Sequence, residues 1–495
     1  MKRYTLRPIV LLSAPAYNPK EAQFLLVMYR GAEGRMRRIL GILLVGLLVL
    51  TMSVSGQEAT PEMTEPVGES STEQEATPEM METADAAATA EMEMGGENSL
   101  TVTDQVSLNG MVVIESANIA NAGFIAIHAD EGGMPGHVVG VAPVAAGTNS
   151  AVSVMIDGAM ATPVLYAQLH SDDSETGVFE FGKVPGADAA LSDAQQFTAP
   201  AIVSFDQQVV DNTVVVASAL ISVPGWLVIH ADEAGQPGAI LGSAPLIAGT
   251  NAPVYIPLNE APAATAVWAM LHVDDGTVGT FEYDGQNGLD APVNINEVVA
   301  TRPINLTDAP TVLLADGTPI QGEVAPAVNA AEQELAPGDA GASNFVVSSA
   351  VSPAAGFIDV HGDMGHPSVS LGVSAVAAGE NTDVAVALMP PAEGTMMTAI
   401  TPIVWPMLHL DTDADGQYRY LMIPGVDLPV VYNGAVATLP VTVSGDMVMA
   451  MEDMMGMTDS MDMTTDPAAE MGMTEEMMTD EMSDMSMTAE ATEAQ

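Results

Sequence analysis

The chain has 495 residues and a formal charge of −54, from 65 acidic and 11 basic side chains, eight of the basic ones lying before residue 40. A body carrying that field repels nucleic acid and anionic lipid and attracts cations, which sets nucleic-acid binding aside. With no cysteine there are no disulfides, thiolate metal sites or cysteine nucleophiles, and no lipid-modified cysteine of the bacterial lipoprotein kind.

In chain order, residues 1–35 read as a mis-assigned upstream segment, because a secretory signal begins at the N-terminus and one is laid out at 36–56. There Met36, Arg37 and Arg38 precede an apolar run from Ile39 to Leu50, and small residues follow at Ser53, Ser55 and Gly56. The run is shorter than the roughly 20 residues of a membrane span. Cleavage therefore leaves no membrane span, and the expected location is secreted or cell surface. Residues 57–98, rich in Glu, Thr, Ala, Met and Pro, hold too little apolar surface to offset the entropy of ordering and are expected as a disordered linker.

From residue 99 the pattern changes to short alternating runs broken by Gly, Asn, Asp and Pro. LTVTDQVSL, MVVIESANI, GFIAIHAD, VVGVAPVAAG, AVSVMIDG, PVLYAQLH and GVFEFG read as about seven strands of a β-sandwich. The unit then repeats: Gln105, His128 and His170 are matched 102 residues later by Gln207, His230 and His272. A third, more divergent copy has EQEL at Glu332, GFIDVHGD at Gly356 and VWPMLHLD at Val404. Its two histidines lie 48 residues apart instead of 42, which places an insertion near Met389–Met397. The expected fold class is all-β, with three tandem Ig-like antiparallel β-sandwich repeats at 99–202, 203–305 and 323–446. A linker at 306–322 spaces the third, and a disordered Met-rich acidic tail follows at 447–495. The expected shape is beads on a short string, with the first two nearly abutting.

Six of the eight histidines fall at equivalent positions, His128, His170, His230, His272, His361 and His409, each with an aspartate two residues later. Strand alternation puts Met270 on the face of His272, and Met407 on that of His409. Imidazole and thioether suit soft or borderline ions such as Cu(I) or Ag(I), so these six histidines with Met270 and Met407 are the candidate metal ligands. The competing reading is structural: a histidine at a strand end packs beside an aromatic ring while the aspartate closes a turn. In a sequentially antiparallel sandwich the third and sixth strands run in opposite directions, so the two histidines of one copy are expected at opposite ends. DTDADGQY at Asp411 resembles the start of a calcium loop but has Met422 where a bidentate glutamate belongs, which leaves at most weak calcium binding. The methionine clusters of the tail suit Cu(I) as well, although the front linker shares their composition.

No Gly-x-Ser-x-Gly elbow, phosphate loop or His-Glu-x-x-His is present, and no catalytic residue or resident cofactor is expected. The segments GFIAIH and GWLVIH, AAGTN and IAGTN, and QLHSD and MLHVD resemble the repeats of a domain of unknown function found in secreted and surface-exposed prokaryotic proteins. That resemblance implies an extracytoplasmic β-sandwich and assigns no site. Two functions fit: a non-enzymatic surface or matrix interaction protein whose partner is not named by the sequence, and an extracytoplasmic soft-metal binder using the His/Met faces and the tail.

Overall fold

A computed structural model describes residues 98–322, 324–390 and 399–449. The expected upstream segment and signal peptide, nearly all of the acidic linker expected at 57–98 and the tail from residue 450 lie outside the described residues, as does most of the expected insertion. What is described is all-β: no α-helix occurs among the described residues, only a single 3₁₀ turn at Asp339–Gly341, and no helix there is long and apolar enough to cross a membrane.

Each repeat is a sandwich with the same histidine-bearing sheet. In repeat 1 its order is Pro135–Val144, Gly123–Asp130, Val164–Ser171, Gln195–Thr198, all antiparallel. In repeat 2 it is Pro237–Leu246, Gly225–Asp232, Ala266–Val273, Thr301–Asn305. Repeat 3 has Pro367–Val376, Gly356–Asp363, Ile403–Leu410 and Val441–Ser444, with Gln333–Glu334 added at the edge. One face of each sheet meets the core: Ile125, Ile127, Leu165 and Leu169 pack against Val112, Ile114 and Val154 of the opposing sheet. The other face is covered too, which is why GFIAIHA is buried from end to end and reads as an almost continuous apolar run.

The matched glutamines are structural. Gln105, Gln207 and Gln333 each accept from and donate to one backbone residue, Val113, Val215 and Val346 respectively, so that a side-chain amide imitates a strand rung. EQEL therefore stands in for the first strand of repeat 3 through Gln333. Gly123, Gly225 and Gly356 are equivalent in another way. A Cβ on any of them would overlap the backbone carbonyl oxygen of the second histidine, His170, His272 or His409.

The structure corrects two expectations. GVFEFG is not a strand; the edge position is taken by Gln195–Thr198, and the Phe-x-Phe alternation serves a loop that lies over the sheet. A period of two looks the same whether the rings face a sandwich core or the outside of a sheet. Nor are the repeats isolated beads. Repeats 1 and 2 share one sheet, in which Ser107–Leu108 and Ser218–Ile221 flank Ala201–Val203. Repeat 3 packs on repeat 1: Tyr420 and Leu428 belong to the core of repeat 1, the Tyr420 hydroxyl donates to Asp157 at 2.6 Å, and Lys183 Nζ donates to the Tyr420 carbonyl at 3.0 Å. The expected linker 306–322 carries the strand Val312–Leu314, which pairs with Val430–Tyr432, while Leu313 is buried against Phe205 and Val431. Apolar residues in a short connection are better buried than hydrated, and here they join the repeats.

Candidate metal centre

The two histidine strands of each repeat are antiparallel neighbours, with His128 opposite Tyr166 and His170 opposite Phe124. The histidines thus sit four rungs apart on one face, with Ala126 and Gln168 on the rung between. Each first histidine also lies at a break in register with the outer strand, at His128, His230 and His361 alike. Such a bulge re-aims its side chain. The imidazoles consequently lean toward each other over the middle rung. Ring centroids are 5.6, 5.9 and 6.0 Å apart in repeats 1, 2 and 3, and in repeat 1 the two Nε2 atoms are 3.4 Å apart. The expectation that the two histidines of one copy lie at opposite ends is overturned: strand direction sets where the Cα atoms lie, but the pair is only four rungs apart and the side chains span the gap.

All six rings are held in the same way. Nδ1 of His128, His170, His230, His272, His361 and His409 lies 2.7–2.9 Å from the backbone oxygen of Gly136, Asp188, Gly238, Asp290, Ser368 and Asp427 respectively. A carbonyl oxygen only accepts, so Nδ1 carries the proton and a neutral ring presents a bare lone pair at Nε2. Burial favours the neutral ring, pushing His128, His272 and His409 down to about 4 and lowering His170 and His230. The Nε2 atoms of His230, His272 and His361 are buried with no hydrogen-bond partner. In repeat 1 the two Nε2 lone pairs face each other.

Over each second histidine lies an aromatic pair from the following loop: Phe179 and Phe181 on His170, Phe281 and Tyr283 on His272, Tyr418 and Tyr420 on His409. A further ring from the start of the first strand, Phe124, Trp226 or Phe357, closes against the first of them. The loop is tied down by a fully buried aspartate in left-handed conformation, Asp188, Asp290 or Asp427. Asp290 accepts from the amides of Asp275 and Glu282 at 2.9 and 2.5 Å, and its own carbonyl receives His272 Nδ1. These aromatic and aspartate positions recur 9, 11 and 18 residues after the second histidine, a spacing present in all three copies. It is the signal that could have found them.

The aspartates of His-x-Asp remain outside the paired nitrogens. Asp130, Asp232 and Asp363 accept from Tyr166, Trp268 and Trp405 at 3.0, 2.8 and 2.8 Å. Asp172, Asp274 and Asp411 accept from Gly177, Gly279 and Gly416 and close turns. The indoles of Trp268 and Trp405 are thus engaged at the strand end, and other rings cover the second histidine. Met270 and Met407 are buried on the middle rung, opposite Val228 and Asp359. Asp411, Asp413 and Asp415 cluster in a turn whose carboxylates accept neighbouring amides, with Arg419 3.4 Å from Asp415.

Repeat 3 differs at the middle rung, where Asp359 replaces Ala126 and Val228. Asp359, His361 and His409 place a ligand atom each within 4.8 Å of one another, all three buried. Asp359 Oδ2 is 3.4 Å from His361 Nε2.

Comparison with known proteins gives the same threefold division. The family model described as "Domain of unknown function (DUF7282)" matches at residues 98–204, 200–307 and 326–444. No curated protein sequence matches the chain. Among solved structures, the crystal structure of Lac15 from a marine microbial metagenome is similar at 11% identity over 64% of this chain and 90% of that one, with a TM-score of 0.13, too low to carry an argument. The chain therefore belongs to the DUF7282 family of domains of unknown function, of which it carries three copies in tandem.

Proposed function

We propose that the protein is an exported metal-binding protein that holds a soft cation, Cu(I) or Ag(I), between the paired histidines of its repeats. One observation carries this reading: in every copy two stacked imidazoles are held at Nδ1 by backbone carbonyls in a buried, aromatic-walled space, and in repeat 1 their Nε2 atoms face each other at 3.4 Å. Holding a ring by its far nitrogen is how proteins orient histidine ligands for a metal. Two nitrogens each about 2.0 Å from a shared ion are roughly 3.3 Å apart at a tetrahedral angle and about 4 Å apart when linear. The 3.4 Å separation in repeat 1 falls in that range. In repeats 1 and 2 the middle rung offers no carboxylate, and burying a single charge costs less than burying two. Aromatic faces further favour a cation.

The alternative, a surface or matrix interaction module with no chemistry of its own, leaves the threefold repeat of stacked, backbone-held imidazole pairs without a role. Export rests on the basic start and apolar run at 36–56. Thermal unfolding of the full chain with Ag(I), or with Cu(I) under anaerobic conditions, separates the two. Saturation at about 100 times Kd should add about 2.7 kcal/mol to a repeat that binds only when folded. His230→Ala/His272→Ala should lose the response of repeat 2 and keep the others, and the difference from the unsubstituted chain discounts ions held by the tail. A response identical in the two proteins refutes the assignment.

A further inference from the structure

We infer that repeat 3 holds a different ion from repeats 1 and 2: a borderline divalent cation such as Zn²⁺ or Co²⁺, ligated by Asp359, His361 and His409. This rests on the paired-histidine reading and adds a ligand to it. Asp359 occupies the rung between the histidines, where a carboxylate contributes both an oxygen and a negative charge against a second positive one. Two imidazoles and a carboxylate form a donor set for divalent first-row ions.

The supporting contacts are complete. Ser370 Oγ donates to Asp359 Oδ1 and the Tyr418 hydroxyl donates to Oδ2, each at 2.6 Å, so both carboxylate oxygens are oriented and each keeps a lone pair. His361 and His409 are fixed through Nδ1 to Ser368 and Asp427, both at 2.7 Å. Asp359 Oδ2 and His361 Nε2 lie 3.4 Å apart at a fully buried site, close enough for both atoms to ligate one cation.

The ion would also have room on one side. A cavity of about 460 Å³ lies between repeats 3 and 1, lined by Asp359, His361, Tyr418 and Tyr420 on one side and Phe181 and Lys183 on the other. Two of the three ligands, Asp359 and His361, face this cavity, which leaves a coordination position for water or a small ligand and separates such a site from a closed structural one. Repeat 1 supplies the far wall, so the inter-repeat packing that the sequence did not announce becomes part of the site.

The test is Co²⁺ titration of the full chain followed by visible absorption, beside Ag(I) titration of the same protein. The expected result is one Co²⁺ per chain with the intense bands of a nitrogen-ligated, four- or five-coordinate ion. Asp359→Asn, which keeps the shape, should weaken that binding at least tenfold. Asp359→Val, which installs the repeat 2 residue, should abolish it and leave Ag(I) uptake intact. Asp413→Asn, in the exposed acidic turn, should change neither. Near-ultraviolet dichroism from Trp405, on a histidine strand of the same repeat, reports whether the variants fold. A chain that takes up Ag(I) at its histidine pairs but shows no Asp359-dependent Co²⁺ overturns this inference alone. Uptake of neither ion overturns both readings, and Co²⁺ without Ag(I) supports repeat 3 while removing the soft-ion reading of the others.

Discussion

Replacing Asp290 with alanine tests whether the aromatic loop over the histidines is held by one buried carboxylate. Asp290 is 0% exposed and accepts from the amides of Asp275 and Glu282. Hydrogen bonds to a charged acceptor contribute about 1.5–3 kcal/mol each, and both amides would lose theirs. The residue also sits at φ 47°, where alanine is disfavoured by roughly 1–2 kcal/mol. Allowing for partial relaxation, Asp290→Ala should cost repeat 2 about 3–5 kcal/mol. Asp274→Ala removes a carboxylate that caps only the more exposed Gly279 amide, and should cost about 1 kcal/mol. Asp290→Asn keeps one acceptor and should fall between. Urea unfolding read by tryptophan fluorescence suits the comparison, since Trp226 and Trp268 of the three tryptophans lie in repeat 2 and Trp226 packs on Phe281 of this loop. An Asp290→Ala cost no larger than that of Asp274→Ala would refute the keystone role.

Other consequences are equally direct. Tyr420→Phe leaves Asp157 Oδ2 without its 2.6 Å donor at the boundary of repeats 1 and 3. It should cost about 1.5–3 kcal/mol and speed hydrogen exchange at the Phe179 amide, which bonds across that boundary to Met422; unchanged exchange there argues that the repeats do not depend on this contact. Burial lowers His366 to about 4. Its neutral form is therefore favoured by folding, and its contribution is complete above pH 6.5 and lost as pH falls toward 4. The loss is about 3 kcal/mol over that window. His366→Met, which installs the residue at the matching place in repeat 1, should remove that part of the acid sensitivity, and an unaltered slope of stability against pH would count against the assignment.

Much of the architecture was legible because it is local. Alternation in MVVIESANI and the short apolar run of GFIAIHAD mark strands whichever neighbour they pair with, and identical spacing of Gln105, His128 and His170 with Gln207, His230 and His272 marks a repeated unit without reference to coordinates. The glutamine match marked an equivalent position by spacing alone, and the backbone-mimicking role it shares with Gln333 is visible only in the structure. Two errors arose where one local pattern serves two environments. Phe179 and Phe181 alternate like a strand although they cover the back of the sheet, and Val312–Leu314 reads as a spacer although it pairs with a strand more than 100 residues later.

The sequence by itself determined the three β-sandwich repeats and the kind of donor atom they carry, because strand periodicity and residue chemistry are properties of short segments. Only the tertiary structure decided that two histidines 42 or 48 residues apart meet, since that depends on strand register, a bulge and the reach of two side chains. It alone also put a carboxylate between one such pair and set repeat 1 against its open side, because packing between distant segments leaves no periodic trace in the chain.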